Sequence, residues 1–189
     1  MILDYKNNLE NALENGIEKQ GNTICFKKED DDRKFEGITF KNFPNLYLED
    51  CELTNCTFEN CDELNIDESI VKECTFLNIP NIYAVRTDFC NCTFKDVETE
   101  EFMLSMDTYG DVDGCTFENI RIKENVGKCA ICDIAIDGKK DFYYITNCSF
   151  INCSLENEYD ELSVCTYKNI LGKEEIVGNV DYETCEIVK

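Results

Sequence analysis

The pair Cys129-Ala-Ile-Cys132 has the spacing of a zinc knuckle or of a dithiol redox centre. A structural zinc ion takes four ligands, and the chain holds no His and no second Cys-x-x-Cys to complete the set. A redox pair belongs at an exposed helix start, whereas Cys132-Asp-Ile-Ala-Ile136 alternates as a strand does. The pair therefore reads as structural, and neither a metal nor a cofactor is expected. The absence of His also leaves the 14 cysteines without the base that a thiolate nucleophile needs. Two adjacent carboxylate pairs, Asp62-Glu63 and Asp67-Glu68, have the chemistry of a general acid and base acting on polysaccharide. Enzymes of that kind hold acidic sugars with cations, and besides its Lys this chain has only Arg33, Arg86 and Arg121, so the pairs read as a solvated face. No enzymatic activity is expected.

Charge is the stronger signal. Asp and Glu number 40 against 18 Lys and Arg, a net charge of −22. This balance excludes nucleic acid and anionic membrane as direct partners and favours a basic protein. Between Asp96 and Ile120 stand Asp96, Glu98, Glu100, Glu101, Asp107, Asp111, Asp113 and Glu118, with no Lys or Arg. These eight acids are the expected partner-binding residues, because an uninterrupted negative stretch steers a basic partner.

What positions them is a repeat. Cys51-Glu-Leu-Thr-Asn-Cys56-Thr-Phe-Glu-Asn60 states one five-residue rule twice: small residue, any, apolar, any, Asn. Cys74-Thr-Phe-Leu-Asn78, Cys92-Thr-Phe-Lys-Asp96, Cys115-Thr-Phe-Glu-Asn119, Cys148-Ser-Phe-Ile-Asn152 and Cys165-Thr-Tyr-Lys-Asn169 obey it, with Ile38-Thr-Phe-Lys-Asn42 ahead of them. Starts at 38, 56, 74 and 92 are 18 residues apart (56−38, 74−56, 92−74). Such a period means a solenoid, in which each coil buries its apolar face only against its neighbours. Alternation puts Cys and Phe of each Cys-Thr-Phe on one side of an extended segment. Stacking then predicts four inward ladders. They are the Cys ladder from Cys56 to Cys165 and the ring ladder from Phe40 to Tyr167. The third runs Phe43, Cys61, Ile79, Val97, Ile120, Cys153, Ile170, and the fourth Phe35, Leu53, Val71, Phe89, Val112, Ile145, Leu162. Asn marks the corner, where a short amide tolerates an unusual backbone angle. Buried free thiols behave as small hydrophobes, so the cysteine count does not require an oxidising compartment. Cys90 follows the inward Phe89 and is expected to point outward.

These residues resemble the pentapeptide-repeat proteins, whose consensus is Ala-Asp/Asn-Leu-x-x with Cys or Ser common at the first place and Phe at the third. Cys51 to Asn60, Thr87 to Asp96 and Cys148 to Asn157 match best, and the resemblance covers about half of the chain. It implies a right-handed parallel β-helix. That family's coil is four pentads, whereas 18 residues hold two pentads plus eight residues such as Phe43 to Asp50, so a flatter section is expected. Several members act as DNA mimics that occupy the DNA-binding saddle of type II topoisomerases. Seven coils at about 4.8 Å make a rod of roughly 35 Å. Its 22 net charges then fall about one per 1.5 Å, close to the ~1.7 Å of duplex DNA. The resemblance thus implies inhibition of a nucleic-acid-handling enzyme: a topoisomerase, a nuclease, or a CRISPR or restriction effector. The alternative is a toxin-neutralising or scaffold protein that binds by shape.

The expected organisation is an all-β, right-handed parallel β-helix, monomeric or homodimeric, with caps. Residues 1–22 are expected to form a helical cap, because Leu9, Leu13 and Ile17 lie at helical spacing before Gly21. The β-helix spans 23–170, with insertions near 97–109 and 121–142 where the Cys spacing grows to 23 (115−92) and 33 (148−115). The first insertion is expected to carry an apolar strand, Phe102, Leu104, Met106, and the second a hairpin turn at Asp137 to Lys140. Residues 171–189 close the end, with Ile176 and Val177 over the last coil. Met1-Ile-Leu-Asp-Tyr5 lacks the basic start and apolar core of a signal peptide, and no 18-residue apolar run occurs, so a cytoplasmic protein is expected.

Overall fold

The structure, a computed structural model, describes residues 1–8, 17–20, 23–26, 34–99, 102–107, 110–122, 130–134, 145–155 and 186–188. Among these the regular elements are all strands, and they assemble into three sheets wound as a β-solenoid. Each coil contributes one short strand to each sheet in turn. Lys34–Glu36 lies in the third sheet, Thr39–Lys41 in the first and Leu46–Glu49 in the second, and Glu52–Thr54 then returns to the third beside Lys34–Glu36. The pairing between successive coils is parallel and in register, as in Thr57↔Thr75↔Thr93 and Leu64↔Ile82.

Strands this short need sharp corners, and the corners explain the repeat. A single residue with left-handed φ turns the chain at each one. Asn42, Asn60 and Asn78 do so between the first and second sheets, and Asp96, Asn119 and Asn152 hold the same conformation where the first sheet is extended. Gly37, Asn55, Glu73, Asn91, Gly114 and Asn147 turn from the third to the first, and Asp50, Glu68 and Arg86 from the second to the third. Most L-residues are disfavoured in this conformation by about 1–2 kcal/mol, and Asn, Asp and Gly least. That preference is the source of the Asn or Asp that closes each pentad. The backbone of each corner is satisfied by the next coil, as where Asn55 N donates to Lys72 O at 3.0 Å and Asp50 N to Asp67 O at 2.9 Å.

Inside, the four ladders form one core as far as residue 153. Phe40, Phe58, Phe76, Phe94, Phe117 and Phe150 stack with centroids 4.7–5.0 Å apart and planes within 9° of parallel. Coil spacing fixes that distance, and Phe89 meets Phe76 and Phe94 edge-on at 5.9 and 5.6 Å. Cys56, Cys61, Cys74, Cys92, Cys115 and Cys153 are buried thiols, and Cys90 is half-buried on the outer side. Leucine could not replace them in kind. Cys56 N donates to Cys74 Sγ and Cys92 N to Cys115 Sγ, both at 3.3 Å, and Cys74 Sγ donates to Lys72 O at 3.2 Å. The corner leaves an inward N–H that the sheets do not pair, and the sulfur of the next coil accepts it. Ser69 and Thr87 do the same at the third corner, where Cys51 N donates to Ser69 Oγ at 3.0 Å and Ser69 N to Thr87 Oγ1 at 3.3 Å.

Among the described residues the helical cap expected over 1–22 is not found. Ile2–Asp4 is instead a strand of the first sheet in register with Thr39–Lys41, and Ile17–Gln20 runs antiparallel to Thr23–Phe26 at the edge of the second. A strand satisfies the open backbone edge of the first coil directly, which a helix laid across it does not. Leu9 and Leu13 lie outside the described residues. At the other end, Glu186–Val188 pairs with Ser149–Ile151, taking the place in the first sheet that the sequence reading gave to Cys165-Thr-Tyr-Lys-Asn169. Cys165, Tyr167, Leu162, Ile170, Ile176 and Val177 lie outside the described residues.

The first insertion widens the coil rather than looping from it. Asn78 to Ile82 takes 4 positions, while the equivalent Asp96 to Leu104 takes 8, and the added residues extend Thr93–Thr99 and lead into Phe102–Asp107. Thr99 and Met103 are buried within the widened coil. A fifth residue is added between Asp107 and Asp111, and at Gly110, which stands in register with Thr87, an added Cβ would lie 2.3 Å from Thr87 O. The second insertion continues the second sheet with Ala130–Ile134, in register with the preceding coil. The turn expected at 137–140 lies outside the described residues.

Candidate functional site

Each sheet offers its own outer face, and charge divides them. On the first sheet the outward columns are Thr39, Thr57, Thr75, Thr93, Thr116, Ser149, and Lys41, Glu59, Leu77, Lys95, Glu118, Ile151. The charges there alternate along the axis. Lys41 Nζ lies 2.6 Å from Glu59, and Lys95 stands in register with Glu118. The N-terminal half of the third sheet is likewise compensated, with Glu52 3.3 Å from Lys34 and 3.7 Å from Lys72.

Its C-terminal half is acidic. Asp88 Oδ1 accepts from Asp111 N at 3.0 Å, and burial, with Asp88 and Asp113 nearby, raises the Asp111 carboxyl above its ordinary value. Asp113 is held below its ordinary value by Thr146 and Asn147, each donating to it at 2.7 Å. Cys90 stands beside them with its thiol pushed up by burial and then by Asp113.

The second sheet combines acids with aromatic rings. Tyr47, Asn65, Tyr83 and Ser105 form one outward column, and Glu49, Asp67 and Val85 the next along the strand. Tyr47 Oη donates to Asp67 Oδ2 at 2.8 Å, and burial and then Asp67 hold its phenol well above the usual range. Glu63 Oε1 accepts from Asn45 at 2.8 Å and from Asn65 at 2.9 Å. Tyr83 is 38% exposed. At the adjoining corner stand Asp50, Glu68 and Arg86, with Arg86 paired to Glu68. The four carboxylates singled out as acid–base candidates therefore lie along this face and its edges, with Glu63, Asp67 and Glu68 each held by a partner.

The eight acids from Asp96 to Glu118 do not share one face. Asp96 holds a left-handed φ and accepts from Asn119 Nδ2 at 2.8 Å, while Glu98 and Glu118 belong to the extended first sheet. Asp107 belongs to the second sheet, and Asp111 and Asp113 lie on or beside the third. Glu100 and Glu101 lie outside the described residues. The run is uninterrupted in sequence but not in space, because Arg121 lies 3.8 Å from Glu98 and Lys95 faces Glu118. The Tyr47–Tyr83 column went unread, although the period of 18 applied to Tyr47 gives Asn65 and Tyr83 directly.

Cys132 lies in a strand of the second sheet, and Cys129 is outside the described residues. Among the described residues no group of three or more His, Cys, Asp or Glu is placed to hold a metal ion. Among them, too, no helix is long and apolar enough to cross a membrane. No protein-family model, curated protein or solved structure matches the chain.

Proposed function

We propose that the chain is a rigid acidic binding protein, a right-handed β-helix of the pentapeptide-repeat kind, that blocks the basic surface of a nucleic-acid-handling enzyme. A topoisomerase, a nuclease, or a CRISPR or restriction effector presents such a surface. Right-handed winding is what parallel crossovers adopt almost without exception. The observation that carries the reading is unequal charge compensation. The first sheet and the N-terminal half of the third set opposite charges against each other, whereas Asp88, Asp111 and Asp113 stand together on the C-terminal half of the third, where burial and the two neighbouring acids raise the Asp111 carboxyl. Like charges brought close together on a sheet destabilise it, and a sequence that relieves this elsewhere keeps it here. An acidic surface on a stiff support raises the association rate with a basic partner and competes with phosphate for the same cations. The action is occupancy, by a monomer or homodimer in the cytoplasm, with no covalent chemistry and no cofactor.

The second reading is a toxin-neutralising or scaffold protein that binds by shape. The neutral, threonine-lined face of the first sheet favours it, since contact there would depend little on charge. Capture from a lysate on the immobilised chain separates the two when bound proteins are released by stepped salt and, in parallel, by excess duplex DNA. Blocking of a nucleic-acid site predicts that both release the same protein, with affinity falling steeply between about 50 and 200 mM salt. Release by neither marks binding by shape.

A further inference from the structure

The outer face of the second sheet joins two features that arginine recognition requires, aromatic planes and fixed carboxylates. Tyr47 and Tyr83 stand in one column with Asn65 between them, two coils or about 9–10 Å apart. Each carboxylate nearby is already oriented, Asp67 by Tyr47 Oη and Glu63 by the amides of Asn45 and Asn65. Asp67 is diagonal to Tyr83, one coil away and two residues along the strand, about 7–8 Å between Cα atoms. A guanidinium stacked on the Tyr83 ring can reach that carboxylate with its planar fork. Residues 46–50, 63–68 and 81–86, which form this part of the face and its corner, include five acids against one cation, Arg86, which is paired with Glu68. Their charge matches a cationic partner, and the rings match arginine better than lysine, because a guanidinium stacks on an aromatic plane and is weakly hydrated.

We infer that the Tyr47–Asn65–Tyr83 face of the second sheet is an arginine-docking surface, and that the proposed basic partner seats arginine side chains there. The inference rests on the basic-partner reading and adds where contact occurs and which cation is read. Preformed carboxylates and rings held on a rigid sheet lower the ordering cost of binding.

Binding of octa-arginine and octa-lysine to the full chain, measured by calorimetry at about 50 mM salt, tests it. Wild type should hold octa-arginine roughly 3–10-fold tighter than octa-lysine. Tyr83→Ala should lose most of that preference by weakening octa-arginine alone, and Tyr83→Phe should restore it, since the ring does the stacking. Both variants should keep the wild-type circular dichroism spectrum, because the side chain faces outward. Joint substitution Asp88→Asn and Asp111→Asn on the third sheet should weaken both peptides equally and leave the ratio intact. If Tyr83→Ala leaves the ratio unchanged while the third-sheet substitution removes binding, the docking surface is overturned and the basic-partner reading stands. If wild type binds neither peptide, both fall.

Discussion

Phe94 and Phe117 stack 4.8 Å apart with planes 8° from parallel, although 23 residues separate them (117−94). Phe76 and Phe94, one regular 18-residue coil apart (94−76), stack at 4.7 Å and 9°. Five added residues thus leave the core stack unchanged, because four enter between Asp96 and Leu104 and one between Asp107 and Asp111, so that none falls between Thr93 and Asp96. The ring ladder should accordingly behave as one continuous element. Phe76→Ala, at its centre, should lower stability by roughly 3–5 kcal/mol, and Phe76→Leu by roughly 1–2 kcal/mol. Denaturant midpoints at unchanged slope check this, and an alanine variant within about 1 kcal/mol of wild type would show that neighbouring coils collapse onto the gap.

Corner chemistry makes a prediction of opposite sign. Glu73 holds a left-handed φ of 54° where Asn55 and Asn91 occupy the equivalent corners. Glu73→Asn should therefore raise stability by about 0.5–1 kcal/mol, whereas Asn60→Ala should lower it by about 1–2 kcal/mol. Thermal unfolding of the two variants beside wild type is the measurement. An asparagine variant less stable than wild type would mean that the Glu73 side chain contributes more than its backbone strain removes.

Much of this architecture was legible because a stacked coil forces one residue type to recur at one spacing. Cys56 to Cys148, Phe40 to Phe150 and the Asn corners all repeat in kind, so the ladders and their inward direction follow from period and alternation. The third corner was not legible. Ser69 and Thr87, at the positions equivalent to Cys51, meet one requirement, an inward acceptor for the backbone N–H of the preceding coil, with two residue types, and Asp50, Glu68 and Arg86 share only their φ. The N-terminal segment failed for a different reason, since Leu9, Leu13 and Ile17 fit a helical stripe while an open sheet edge recruits strands at Ile2–Asp4 and Ile17–Gln20. Charge pairing was hidden because Glu98 meets Arg121 only once the register is known.

Thiol reactivity should divide sharply by position. Burial pushes the Cys61 thiol up to about 12 and raises Cys153 as well, whereas hydrogen bonds with the next thiol of the ladder lower Cys56 and Cys92, and all of these thiols are shut away from solvent. Alkylation of the native protein followed by peptide mass spectrometry should mark Cys90 long before Cys56, Cys61, Cys74, Cys92 or Cys115, and all of them rapidly once denatured. Native labelling of the ladder at the rate of Cys90 would contradict the packing described.

Asp111 gives a pH signature. Its folded carboxyl is raised above the ordinary 3.8 by burial and by Asp88 and Asp113, so the folded state takes up this proton before the unfolded state does. The ionised group therefore opposes folding above its folded value, and the penalty disappears as pH falls through that value towards 3.8. Asp111→Asn should be more stable than wild type at pH 7, with the difference fading at acid pH. A difference that grows on acidification would reverse the assignment.

The most direct test of the whole account is competition. A labelled DNA duplex is bound to the purified enzyme that the chain captures, and the chain is added while anisotropy is followed at about 50 and 200 mM salt. Occupancy of the nucleic-acid site predicts complete displacement of the duplex at a single midpoint, with the chain's own affinity for the enzyme far weaker at the higher salt. A duplex that stays bound while the chain joins it in a ternary complex, equally at both salts, would contradict the account.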